Sequence, residues 1–173
     1  MKLSKYIILL AFVVSCNTPQ AVYDYDEKVN FSTLNTYNIY PDLVTNLNQL
    51  DDQRIISILN EKLSQKGFTT SETPQIYVNF YASFYETPTR NTLGVGVGGT
   101  GRNVGVGVSG GIPLGGPETY LRLTIDFIDA EKDLLIWQAE VDGQLNNNTT
   151  PQKREESLRL MIDKALKGYP PKK

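Results

Sequence analysis

The 173-residue chain is predicted to form an α+β domain: a largely antiparallel sheet with two amphipathic helices packed on one face. Three observations predict it. Period-two alternation runs unbroken from Ile76 to Tyr85. Two further alternating segments, Leu121 to Phe127 and Leu135 to Val141, flank a run of turn-forming residues. Two other segments repeat apolar residues at helical spacing, so that the elements follow the order β-β-α-β-β-β-α.

In chain order, Val22 to Tyr25 and Thr36 to Tyr40 are short, rich in tyrosine and β-branched residues, and bounded by Asp, Asn and Pro41, so both read as strands. From Asp51 onward Ile55, Ile56, Leu59 and Leu63 fall on one helical face. Asp51 or Asp52 is placed to cap the start and Gly67 suits the position just past the end, giving a helix of about four turns. Ile76, Val78, Phe80, Ala82 and Phe84 then alternate with Tyr77, Asn79, Tyr81, Ser83 and Tyr85 in one long strand. Leu121, Leu123, Ile125 and Phe127 alternate with Arg122, Thr124 and Asp126; residues Asp129 to Asp133 turn the chain; and Leu135, Trp137, Ala139 and Val141 return as the second strand of a hairpin. Trp137, the sole tryptophan, shares the apolar phase of that strand and is expected in the core beneath the last helix, near Leu158 or Met161. After Asn146 to Asn148, Thr150 caps that helix with Pro151 at its first position; Leu158, Met161, Ile162, Ala165 and Leu166 make its apolar stripe, and Gly168 with Pro170-Pro171 stops it.

Composition restricts function. With 40% hydrophobic and 21% charged residues and a net charge of -2, the chain can bury a core. Its 17 basic and 19 acidic residues lack the electrostatic footprint of a nucleic-acid binder. Having no histidine and one cysteine, it has no inventory for a histidine-based triad, a His-ligated zinc or an internal disulfide. Residues 1–15 place Lys2 and Lys5 before the apolar run Tyr6 to Val14, too short to span a bilayer, and read as an export signal. The signal ends Val13-Val14-Ser15-Cys16, which resembles the lipobox of bacterial lipoproteins; in that class the cysteine thiol takes a diacylglycerol and becomes the acylated N-terminus. Cys16 is therefore the expected lipidation site, palmitate or its like the expected modification, and the bilayer the expected partner through that residue. Residues 16–21 form a short tether that holds the domain, residues 22–173, close to the membrane. Asn17 stands where an aspartate retains enterobacterial lipoproteins in the inner membrane, so the outer membrane, facing the periplasm, is the expected location.

Eleven of the fourteen glycines lie between Gly94 and Gly116, marking a loop inserted between core strands. Gly94 to Gly99 matches G-x-G-x-x-G formally, but no helix opens at the last glycine and no Lys-Ser or Lys-Thr pair follows, so a phosphate cradle is rejected. Gly94 to Gly98 and Val104 to Val108 alternate Gly and Val like a weak hairpin that could pair with a second chain. Carboxylate neighbours, Asp126 with Asp129 and Glu140 with Asp142, read as solvent-face charges more readily than as an acid and base. Asp24, Asp26 and Glu27 lack the spacing of a calcium loop, so no metal or other cofactor is expected. The polar phase of the central strand is different: Tyr77, Tyr81 and Tyr85 recur every fourth residue and share a side with Asn79 and Ser83. With the helices on the Ile76/Phe80 face, that row points outward, as a surface for glycan or protein recognition or as ordinary cross-strand packing.

These residues together resemble a family of bacterial lipoproteins, domain of unknown function 4136. The resemblance rests on Tyr23-Asp24 with Phe31 and Thr36-Tyr37, the central glycine tract, Asp126-Phe-Ile-Asp-Ala130 with Leu135-Ile-Trp137 and Gly143, and the closing Tyr169-Pro-Pro-Lys172. It implies an envelope location and a single domain, and no catalytic residues. The expected function is a non-enzymatic binding or assembly module anchored to the outer membrane, with a protein or glycan partner. The alternative is a hydrolase or lyase acting on envelope glycan through carboxylates alone, which needs a deep pocket holding two of them.

Overall fold

A computed structural model describes residues 20–87, 92–94, 111–113, 118–144 and 149–172. The export signal, Cys16 and most of the glycine tract, including the Val104 to Val108 half of the expected hairpin, lie outside the described residues. The elements are β1 (Gln20–Tyr25), a single 3₁₀ turn at Phe31–Thr33, β2 (Thr36–Ile39), α1 (Gln49–Gln65), β3 (Thr69–Thr70), β4 (Ile76–Thr87), β5 (Thr92–Gly94), β6 (Gly111–Pro113), β7 (Glu118–Asp129), β8 (Leu134–Gln144) and α2 (Pro151–Leu166).

Six strands form one sheet in the order β1-β8-β7-β4-β2-β3, and β5 pairs with β6 apart from it. β1, β8, β7 and β4 are mutually antiparallel, while β2 runs parallel to both β3 and β4. A parallel pair needs a long crossover, and α1 supplies it between β2 and β4. The α+β class and the largely antiparallel sheet with two helices thus hold, with one parallel corner added.

The inner phase of the sheet is apolar and fully covered. Ile76, Val78, Phe80 and Ala82 of β4, Leu121 to Phe127 at odd positions of β7, and Trp137, Ala139 and Val141 of β8 are buried against Ile55, Ile58, Leu59 and Leu63 of α1 and Leu158, Met161, Ile162 and Ala165 of α2. Gly143 continues that phase where α2 approaches most closely: a Cβ there would lie 2.5 Å from Met161 Sδ. Gly67 ends α1 with φ +89°, as the sequence predicts.

Three local expectations are corrected. α1 is capped by Asn48, whose side chain accepts from the Leu50 and Asp51 amides, because the helix starts a turn earlier than its apolar stripe. Asp51 is instead fully buried. Leu135 is not in the core: it is 52% exposed, because the ladder bulges where Phe127 faces Trp137 but Ile128 faces Leu135, and Ile136 takes the inward position. Trp137 is buried as expected, in one core cluster with Leu158 and Met161 and among rings: Phe127 lies at 4.7 Å, Tyr169 at 5.5 Å and Tyr23 at 6.4 Å between centroids. β1 opens at Gln20, ahead of the Val22 expected.

Candidate functional site

Both helices lie on the inner face, so the outward phase of the long strands forms an open polar grid. Register fixes its rows: Tyr77 beside Ile128, Asn79 beside Asp126 and Gln138, Tyr81 beside Thr124 and Glu140, Ser83 beside Arg122 and Asp142, Tyr85 beside Tyr120 and Gln144. Tyr77, Asn79, Tyr81 and Tyr85 do share this face, and successive tyrosines are about 13 Å apart along the strand.

Each expected residue has a distinct setting. Tyr77 meets Tyr40 edge to face at 5.7 Å. Asn79 donates from Nδ2 to Asp126 Oδ2 at 3.3 Å, and Gln138 Nε2 donates to the other oxygen at 2.8 Å. Tyr81 is half-buried between the two groups. Tyr85 stacks on Tyr120 at 5.6 Å with 18° between planes, lies 5.5 Å under the Arg122 guanidinium, and hydrogen-bonds to Asp142.

The grid also contains groups that the search for carboxylate pairs did not join correctly. Arg122 grips Asp142 with two hydrogen bonds, Nε to Oδ1 at 2.7 Å and Nη2 to Oδ2 at 2.9 Å, and approaches Glu140 at 3.7 Å. That arginine, with burial opposing, holds the Asp142 carboxyl below its usual range. Asp126 goes the other way: burial first, and the charge of Glu140 last, push it up despite its two amide donors. Asp129 is not its partner, because that carboxylate is turned into the β7–β8 turn, where it accepts from the Glu131 and Lys132 amides at 3.0 Å. Gln138, Arg122 and Tyr120 sit on the grid through cross-strand register, which no single strand's periodicity encodes.

Hollows of about 360 and 300 Å³ lie elsewhere on the surface, lined by Tyr25, Phe31 and Pro171 and by Leu50, Arg54 and Glu155, and one of about 210 Å³ reaches the edge of the grid, lined by Asp26, Ile136 and Gln138. None of the three is lined by Asp126, Glu140 or Asp142. Among the described residues no group of three or more acidic or thiol side chains is placed to hold a metal ion. No helix there is long and apolar enough to cross a membrane.

The fold occurs in proteins of distant sequence. A PDZ domain protein from Parabacteroides distasonis ATCC 8503 superposes with a TM-score of 0.58 at 16% identity, over 90% of this chain and 37% of that one. The chain thus spans little more than a third of that protein. A PelC dodecamer from Paraburkholderia phytofirmans superposes with a TM-score of 0.50 at 10% identity, over 86% of this chain and 95% of that subunit. Among curated proteins none matches. The model of the family described as Domain of unknown function (DUF4136) matches residues 21–171, nearly the whole chain, and the protein belongs to that family.

Proposed function

We propose that the protein is a lipid-anchored binding or assembly module of the bacterial outer membrane, held by acylated Cys16 and recognising a protein or glycan partner in the envelope through the outer face of its sheet. The observation that carries the reading is the open grid itself. A row of tyrosines with hydrogen-bonding tips lies beside amides and carboxylates that their neighbours already orient, so little side-chain freedom is lost on contact. Hydrolysis or lysis of glycan by carboxylates is the weaker reading. Asp126 is the acid that burial raises, but both of its oxygens already accept from amides, and Asp142, two rows further along the grid, is clamped by Arg122. The fold shared with a dodecamer makes a second copy of this chain the first protein partner to test.

The test is photo-crosslinking in intact cells from an unnatural residue at Tyr81, compared with Leu160, which is 54% exposed on the helical face. Adducts from Tyr81 and not from Leu160 are expected. Adducts at multiples of the mature, Cys16-started chain's own mass identify copies of it; adducts from Leu160 alone overturn the reading. Cys16→Ala is expected to release the protein from the membrane fraction, and a native mass without acyl groups on Cys16 overturns the anchor.

A further inference from the structure

The register of the sheet gives the molecule two distinct ends. Gln20, Asp142, Arg122 and Ser83 form one row across the four long strands. Beyond that row, on the side from which β1 enters the sheet, lie Phe84, Tyr85, Tyr120 and Gln144, and there Thr87 pairs with Glu118. The opposite end carries the β7–β8 turn, with Asp129, Glu131, Lys132 and Asp133. From Cys16 to Gln20 the chain reaches about 14 Å at most. Leu135 lies opposite Ile128, six residues along β7 from the Gln20 row and so about 20 Å from that row, beyond the reach of the tether.

Exposed apolar side chains occur at both ends, and the tether chooses between them. Phe84 continues the inner phase of β4 past the cover of the helices and is 50% exposed. Tyr85 and Tyr120 stack there, ring type and position suiting the polar boundary of a bilayer. Arg122, on the Gln20 row, is neutralised by Asp142, so among the described residues it offers no attraction to anionic lipid.

Resting on the acylated Cys16 proposed above, we infer that this end of the sheet is a bilayer-contacting surface, with Phe84 entering the headgroup layer and the grid standing upright beside the membrane. The partner is the lipid surface itself, and a protein or glycan meets the outer face from the side.

The test uses the acylated protein, purified from membranes and reconstituted into phosphatidylcholine vesicles with or without brominated lipid. Two variants each add a tryptophan, Phe84→Trp and Leu135→Trp, at positions of nearly equal exposure; buried Trp137 gives a constant background, and circular dichroism checks the fold. The added emission of Phe84→Trp is expected to fall about twofold with brominated lipid, as for side chains seated in the outer few ångströms of a bilayer, while Leu135→Trp is unchanged. Quenching at Leu135 equal to that at Phe84, or at neither while the mass shows Cys16 acylated, overturns the surface and leaves the anchor standing. A mass showing Cys16 unmodified overturns the anchor, and the surface with it.

Discussion

At Asp126 a carboxylate lies almost buried on a face that both helices leave open, and its folded-state pKa is raised above 3.8 by burial. A carboxyl whose pKa rises on folding favours the fold while protonated, and that contribution is lost as pH climbs through the folded value. Asp126→Asn is therefore expected to stabilise the protein at pH 7, with the gain vanishing as pH falls toward 3.8, in urea unfolding at a series of pH values. A gain independent of pH would remove the charge argument. Trp137 tests the inner face. Its side chain is fully buried, so Trp137→Ala should cost about 3–5 kcal/mol in denaturant unfolding. Trp137→Phe should cost much less, since the indole N–H has no acceptor among the described residues and its loss removes a desolvated donor. A loss below roughly 1 kcal/mol for the alanine would reverse the assignment of faces. Tyr23, Phe31 and Tyr169, three of the residues that carry the family resemblance, belong to the same ring cluster. Their signature is that of a packed end of the core.

The elements show how far periodicity carries and where it stops. Alternation along β4 identifies the buried row as far as Ala82 and the tyrosine face, and the apolar stripe of α2 matches the observed burial, while in α1 Ile58 is buried where the spacing predicts Ile56, and Ile56 is only partly covered. What alternation cannot contain is a break in its own phase: the bulge opposite Phe127 puts Leu135 in solvent although its spacing from Trp137 is regular. Nor does it contain partners distant in sequence. Asp51 reads locally as a cap, yet its carboxylate accepts from Arg154 Nε at 2.8 and 2.9 Å, from Arg154 Nη2 at 2.5 Å and from Arg54 at 2.8 Å. This pair ties the first turns of α1 and α2 together across 103 residues. Burial would raise the Asp51 carboxyl, but hydrogen bonds and charge from Arg154, helped by Arg54 and Asn48, hold it low. Its stabilisation is therefore present above pH 3.8 and lost as pH falls through the depressed value. Removing one partner of such a pair strands the others, so Asp51→Ala is expected to cost about 3 kcal/mol at pH 7 and less in acid. Equal costs at both pH values would show the effect to be packing alone.

For the molecule as a whole, the long insertion leaves from Thr87 and returns at Glu118, which are register partners. Chain ends already paired need little to join them, so replacing residues 88–117 with a turn of about four residues should keep the fold and leave the thermal midpoint within about 15 °C. A larger drop would place the tract in the core. Register also decides how the domain bears load. Under the anchor proposed at Cys16, a pull between the body and the bilayer would enter at the start of β1 and load it along its length. Six register pairs, Gln20 with Asp142 through Tyr25 with Trp137, bridge β1 to β8 at right angles to that pull. Midway, the Tyr23 hydroxyl donates to the Lys164 carbonyl of α2 at 2.6 Å and pins the strand to the helix above it. The bonds are strained side by side in shear and must give way together, whereas a hairpin hung from its open end would peel one bond at a time. Under the proposed anchor, an edge strand tethered at its tip would make the domain a grip on its own leash, able to hold a partner under tension.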